Sequence, residues 1–492
     1  MSSLRRQTIS GMQWSLLGTI VNGIFHFFVM IVITRLISPE DFGVFAMSLL
    51  FLQFAAYFAN FGVGTAILRK DVLTDDYIST AFWCGMGASL IIAAIMFFFA
   101  PISTVFLKSP KIVPVVRLLA VNFFLNGLEM VSSAMLQREM RFGFITILNA
   151  AIYISTYIII GIPLAWNGYG VYALVICMLA QTLTRSIGKF IATRHTLRFP
   201  KSFSTFKEIF SFGGQNSLAS FFSFLGNSVD SFVLGRRNGA VLLGIYSRSA
   251  QLIKFPVNFF SDAIMRVVFP GFSKIQTDLE KMRAIYKQMQ GIMAFFLIPI
   301  ACLSTFIAKD VISIAYGRSW SDGWPAFVVY AWIAPLSVLY MSGLIINDII
   351  GSQRDHLKIH AIAFLIFAVT IWIGSAYGLK GVAIAVLGGH VYRMCSITVL
   401  TRRLLQTDFR NILLIYLWPV AIGILIAIPP IFCSIFIKEC NEWVRILLSL
   451  CGSALLFTIF VHVIAVPPLG EVIKIAEEFY PFTGRFFKWV KR

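Results

Sequence analysis

The sequence predicts an all-α polytopic membrane protein of about 14 transmembrane helices. Three observations carry that prediction. First, 58% of the 492 residues are hydrophobic, only 13% are charged, and mean hydropathy is +0.83. Soluble domains sit nearer about 45–50% apolar and about 25% charged. Second, apolar runs of about 20 residues recur along the chain, the length a helix needs to cross a bilayer. Third, the basic residues fall mostly between those runs. A β-barrel would alternate over about ten residues per strand, and no such segments occur.

The elements follow in order. Arg5 and Arg6 precede an apolar run over 14–33. It is too long for a leader core and lacks a small-residue cleavage site, so it reads as a retained first helix. Further spans are expected near 42–66, 78–106, 112–136, 142–166, 170–192, 209–235, 242–269, 285–307, 324–347, 357–376, 379–401, 411–437 and 443–465. Thr277 and Glu280 have capping-box spacing, which predicts that the ninth helix starts there, ahead of the membrane. Pro256 predicts a kink near the middle of the eighth.

Basic residues set the orientation. With the N-terminus cytoplasmic, about 28 Lys and Arg fall in inside segments and about 11 in outside ones. Both termini are therefore expected in the cytoplasm. The formal net charge of +19 is accounted for by topology and anionic headgroups, with no nucleic acid as partner. No outside loop exceeds roughly 15 residues, which leaves no room for an external domain.

The chain also repeats itself. Ser15, Thr19, Asn22 and His26 are spaced four, three, four, and so are Asn216, Ser220, Ser223 and Asn227. A shift of 201 residues maps Arg35 onto Arg236, Gly43 onto Gly244, Ser48 onto Ser249 and Gln53 onto Lys254. Parallel repeats are a transporter signature. The predicted organisation is a six-helix lobe over 1–204, a second over 205–405, two additional spans over 406–466, and a basic, aromatic cytoplasmic tail over 467–492.

No catalytic or nucleotide-binding motif occurs, and no metal or cofactor is expected. Cys84, Cys177, Cys302, Cys395, Cys433, Cys440 and Cys451 are scattered and read as packing residues. The unusual stretch is 246–269, "YSRSAQLIKFPVNFFSDAIMRVVF". Ser247, Arg248, Gln251, Lys254, Asn258, Ser261, Asp262 and Arg266 share an arc of about 140°. Asp262 and Arg266 have the spacing of an ion pair. Arg248 lies at a depth similar to Asp230, so an ion pair and a substrate contact both stay open. Lys254 falls near the midplane with no acid in helical reach, which points to a water-filled cavity. Asn122, Asn126, Glu129 and Ser133 form another stripe, and Gln181, Arg185, His390 and Arg393 mark the sixth and twelfth spans. Asn347 and Asp348 end the tenth. Glu129 and Asp348 have the chemistry of ion carriers, although structural partners explain them more simply. His26 reads as a packing histidine. The candidate cavity set is Lys254, Arg248, Gln251, Asn258, Gln53, Asn22 and Arg393. The candidate acids are Asp230, Glu129, Asp348 and Asp262. Basic residues around a wet cavity point to an anionic cargo.

Several stretches resemble the Wzx-type polysaccharide flippases, in their colanic-acid-exporter branch. They are "TISGMQWS", "ISPEDFGVFAMS", "FANFGVGTAILRKD", "MLQREMRF", "RVVFPGFSKIQTDLEKMRAIY" and "YGRSW", spread from the first span to about residue 320. Beyond that point only hydropathy agrees. The resemblance implies the multidrug/oligosaccharidyl-lipid/polysaccharide transporter fold, with two six-helix lobes. It implies a bacterial inner-membrane protein that flips isoprenoid-diphosphate-linked oligosaccharides to the periplasmic leaflet. Partners expected beside that lipid-linked anionic glycan are the membrane, a polysaccharide polymerase and chain-length or export proteins. It supplies no residue motif for the site. Two other readings compete. A small-molecule antiporter of the same superfamily is disfavoured by the intramembrane cations. A glycan polymerase or ligase is disfavoured by the short outside loops.

Overall fold

Every regular element among the described residues is a helix. The computed structural model describes residues 23–59, 63–199, 214–274, 278–351, 353–437 and 439–463. In the first part these are α1 (Gly23–Leu36), α2 (Pro39–Ala59), α3 (Val63–Arg69), α4 (Asp75–Phe98), α5 (Ser103–Leu107), α6 (Ile112–Arg138), α7 (Phe142–Trp166) and α8 (Val171–Thr193). The long α9 (Gly214–Lys274) follows. Then come α10 (Leu279–Tyr316), α11 (Trp324–Ile350), α12 (Gln353–Gly374), α13 (Gly378–Leu405), α14 (Phe409–Phe436) and α15 (Glu442–Val463). Nine helical stretches among the described residues are long and apolar enough to cross a membrane. One of them, Lys358–Leu405, is two helices joined through the 3-10 turn Ser375–Tyr377.

Local chemistry sets the boundaries. Ser38 accepts from the Asp41 amide at 3.2 Å, and Pro39, Glu40 and Asp41 fill the first turn of α2. Thr74 does the same for α4, accepting from the Tyr77 amide. The cap of α10 is Asp278, which accepts from the Lys281 amide at 3.0 Å; Thr277 lies outside the described residues. The expected third span, 78–106, is broken. α4 stops at Phe98, and Pro101 starts a 3-10 turn before α5. The expected seventh and eighth spans both lie in α9, which turns at Gly239 with φ of +85°. That region of backbone space favours glycine. Helical dihedrals continue through Pro256.

The chain divides into two compact units, Met1–Ser247 and Arg248–Arg492. In the first, α3, α4 and α6 share a core of Ile67, Tyr77, Ala81, Phe82, Val131 and Ala134. Arg138, at the end of α6, donates to the carbonyls of Ile67, Lys70 and Asp71 and so closes the end of α3. The arm of α9 before Gly239 packs in this unit, with Phe232 against Phe51 and Phe106. A Cβ on Gly43 would collide with the Ala240 carbonyl, and one on Gly244 with the Pro39 carbonyl. The shift that maps Gly43 onto Gly244 also maps Pro39 onto Ala240. The contact is thus reciprocal between the two repeated segments, as a two-fold axis makes it.

In the second unit α10 is the centre. Its Met282, Tyr286, Met293 and Ile298 pack with Leu339, Ile345 and Leu405. Gln290 is buried, and its amide donates to Ser342 Oγ (2.6 Å), the Tyr286 hydroxyl and the Leu339 carbonyl. Its Oε1 accepts from the Tyr416 hydroxyl at 2.9 Å, which ties α10, α11 and α14 together through one satisfied amide. The last two described helices, α14 and α15, pack on α10 through Phe295, Ile422, Ile426 and Phe457. Arg445 of α15 closes a bidentate pair with Asp310 of α10, at 2.5 and 3.0 Å.

Two predictions follow from this packing. Gly43→Ala and Gly244→Ala each press a methyl into backbone, so each is expected to destabilise by about 1–3 kcal/mol. Gly87→Ala has open space and is expected to be neutral or slightly stabilising. Thermal unfolding in detergent measures all three, and an unperturbed Gly244→Ala protein removes the close crossing. The second prediction concerns His195, beyond the end of α8. Its ring is buried against Phe82 and Phe190, with Nε2 3.1 Å from Ser132 Oγ. Burial holds its pKa below the usual imidazole value, with the Thr196 carbonyl opposing in part. The fold thus prefers the neutral ring. His195 contributes stability that is complete above about pH 6.5 and is lost as pH falls through the lowered pKa. Melting temperatures across that range should drop less in His195→Gln than in the wild type.

Candidate functional site

Two constellations gather the polar side chains, one in each unit. The first is built on α6. Asn126, Glu129, Ser133 and Gln137 are three or four residues apart and share one face. Glu129 Oε2 accepts from Arg185 Nε at 2.8 Å, and Oε1 accepts from Lys189 Nζ at 2.5 Å. Lys189 also reaches Ser133 Oγ at 3.2 Å, and its side chain is only 4% exposed. Arg185 is 31% exposed and Glu129 12%. One carboxylate thus serves two cations, and the cluster carries one net positive charge. Beside it, Asn122 accepts from Thr182 Oγ1 at 2.9 Å. A cavity of about 360 Å³ opens on the same face of α6. Asn126, Glu129, Ser133 and Gln137 line it, with Phe123 and Ser89 among its other walls.

The sequence stripe Asn122–Asn126–Glu129–Ser133 is therefore one face of α6, and the structure brings Arg185 of the sixth predicted span to it. Lys189 is not among the candidates read from the sequence, because a lysine near a helix end reads as a topology marker. Its spacing of four from Arg185 was the available signal. A carboxylate already paired twice is a poor ion carrier, so the structural reading of Glu129 is the better one.

The second constellation lies in the second unit. Lys254 is exposed on α9, and its Nζ lies 4.3 Å from the centroid of the Tyr330 ring on α11. A cation over an aromatic face keeps its charge while losing part of its water. Arg393, half-buried on α13, sits with its guanidinium 4.9 Å from the Phe367 ring. Next to Phe367 is His390, at 5.5 Å between rings. The Tyr340 hydroxyl meets His360 Nε2 at 3.1 Å. Asp348 is exposed near the end of α11, and the neighbouring Asn347 is buried.

The remaining candidates are placed as follows. Arg248 is half-buried, and its carbonyl accepts from the Tyr316 hydroxyl at 3.4 Å. Asp230 is buried and accepts from the Tyr246 hydroxyl at 2.6 Å, a partner that sequence reading did not name. Gln53 is exposed on α2 and Gln251 half-buried on α9. His26 packs its ring 4.9 Å from Tyr153, as a packing histidine would. Asn22 lies outside the described residues. Asn258 and Asp262 are on α9, but their side chains are outside the described set, as is that of Arg266.

Helices of membrane length with charged side chains held among them define a polytopic membrane protein. Among solved structures the fold is similar to "Lipid II flippase MurJ, inward closed conformation", with TM-score 0.74 and 16% identity, covering 91% of this chain and 98% of that one. It is also similar to an inward-facing multidrug resistance MATE family transporter of the MOP superfamily, with TM-score 0.59 and 18% identity, covering 78% and 94%. The family model described as polysaccharide biosynthesis protein matches residues 32–325, and the chain belongs to that family. Among its relatives is the lipopolysaccharide biosynthesis protein WzxC of Escherichia coli (strain K12), 24% identical over 328 residues, 65% of either chain. Another is the succinoglycan biosynthesis transport protein ExoT of Rhizobium meliloti (strain 1021), 25% identical, covering 65% of this chain and 64% of that one. The chain thus spans just under two thirds of the length of these relatives.

The Glu129 cluster generates a stability prediction. Lys189→Met leaves Glu129 with Arg185 alone in a largely buried setting. Breaking a buried pair from one side costs about 3–5 kcal/mol, and the partial exposure of Arg185 lowers that here. The double variant Lys189→Met/Glu129→Gln should recover part of the loss. A double-mutant cycle of unfolding free energies checks it; additive losses would mean that the two groups do not interact.

Proposed function

We propose that this chain is a bacterial inner-membrane flippase for isoprenoid-diphosphate-linked oligosaccharide repeat units. It moves them from the cytoplasmic to the periplasmic leaflet by alternating access, during surface polysaccharide synthesis. What carries this reading is the alignment with a succinoglycan biosynthesis transport protein and with a lipopolysaccharide biosynthesis protein over 65% of the chain. The fold shared with a lipid II flippase supports it. The organisation that goes with it has 14 spans, lobes over 1–204 and 205–405, extra spans over 406–466, and a tail over 467–492. Both termini are cytoplasmic. A polysaccharide polymerase and chain-length or export proteins are the partners that receive the cargo.

The chemistry of the cargo explains the cations. A diphosphate and acidic sugars cross a membrane only with compensating charge. Lys254, Arg248 and Arg393 supply it in this reading, with Gln251, Asn258, Gln53 and Asn22 as polar lining. Lys254 is the residue most committed to the cargo. Its ammonium lies over the Tyr330 ring, a contact worth about 0.5–1 kcal/mol at exposed sites. Asp230 and Asp348 are the acids through which ion coupling would act in this reading.

Flipping of a lipid-linked oligosaccharide in proteoliposomes tests the proposal. Lys254→Ala is expected to slow it by about tenfold or more, the loss of roughly 1.4 kcal/mol of cargo binding. Lys254→Arg should retain part of the rate. A folded Lys254→Ala protein at the wild-type rate removes Lys254 from the site. A wild-type protein that leaves the lipid unflipped removes the function.

A further inference from the structure

We propose that the α6 cavity of the first unit is a glycan subsite, a place where the sugar part of the cargo is held apart from its diphosphate. The inference rests on the flippase reading and adds to it a second site and its ligand class. The volume, about 360 Å³, falls within the range of about 300–1,000 Å³ of small-molecule sites. The polar lining is one carboxylate, Glu129, two amides, Asn126 and Gln137, and the hydroxyls of Ser133 and Ser89. That is the mixture of donors and acceptors that sugar hydroxyls match. Phe123 adds an aromatic wall.

Two observations separate a sugar from other ligands. The amides of Asn126 and Gln137 make no hydrogen bond to another side chain or to backbone among the described residues, so their capacity is open to a ligand. The charged group in the wall is an anion whose cations are already engaged. Lys189 is 4% exposed and bonded to Glu129 and Ser133, and Arg185 is bonded to Glu129. A diphosphate would meet a carboxylate there before it met a cation. A cationic drug or metal ion would meet a carboxylate already neutralised. A neutral polyhydroxyl group meets only hydrogen-bonding partners. Glu129 is held rigid by its two cations, so it accepts from hydroxyls in a fixed geometry.

In the proposed topology α6 runs towards the cytoplasm, which puts Glu129, Ser133 and Gln137 in its cytoplasmic half. That is the side from which a lipid-linked glycan arrives.

Two probes separate the sources of binding. One is the undecaprenyl-diphosphate-linked repeat unit extracted from membranes of the protein's own host. The other is the same lipid trimmed to undecaprenyl diphosphate. Binding is measured to the full-length protein in nanodiscs. Asn126→Ala and Gln137→Ala should each weaken the intact lipid by about 3- to 10-fold, the range of one net hydrogen bond. Both should leave the trimmed lipid at wild-type affinity. Gln137 is exposed, so its variant folds whatever becomes of Asn126→Ala. Equal weakening of both probes, or unchanged affinity for the intact lipid in the double variant, overturns the subsite and leaves the flippase reading standing. Failure of the wild-type protein to bind the intact lipid overturns both.

Discussion

Two glycines let two repeated segments touch backbone to backbone. Gly43 lies against the Ala240 carbonyl and Gly244 against the Pro39 carbonyl, and no side chain fits between them. In a membrane, helices gain little from burying apolar surface against each other, because lipid tails are equally apolar. Close approach of small residues is what brings dispersion and backbone contacts into play. Other contacts in the first unit flank this crossing. Met47 fits beside Gly235, Phe51 meets Phe232, and the positive φ of Gly239 redirects the chain so that 240–244 can return to the start of α2. The crossing also gives the sequence repeat a physical meaning, since equivalent residues make equivalent contacts.

The second constraint is charge in an apolar setting, and it is met in three ways. Glu129 takes two cations, which leaves a rigid, nearly buried cluster. Asp310 and Arg445 form a bidentate pair that fixes α15 to α10. Lys254 and Arg393 instead lie over aromatic rings. The first two satisfy charge with charge and build structure. The third sets the cation against an aromatic face, which favours its charge without a carboxylate in contact with that face. Uncharged polarity follows the same division. Gln290 uses its amide fully and locks three helices, whereas Asn126 and Gln137 face a cavity.

Much of this was legible in the sequence. Hydropathy gave the helical class, and the four-three-four spacing of Asn122, Asn126, Glu129 and Ser133 marked the face that lines the cavity. Arg185 was named on the right helix. Lys189 was overlooked, because a lysine near a helix end reads as a topology marker until its neighbour across the helix pair is known. Asp230 was assigned by depth alone, and depth could not reveal the Tyr246 hydroxyl 16 residues on. The third span was drawn too long, since Pro101 breaks the helix without interrupting the hydropathy.

The sequence by itself determined that the chain is helical, that it belongs in a bilayer, and which residue types stand where lipid would not tolerate them. Those properties depend on composition and on a period of 3.6, both local. Only the tertiary structure decided which charges meet which carboxylates and which lie over rings. It also decided that two glycines 201 positions apart are in contact. Pairing depends on which helix faces meet, and apolar helices in lipid carry little sequence pattern to say so. What selects the faces is shape: the small residues, the positive-φ turn and the few buried polar groups, each of which acts only once its partner is in place.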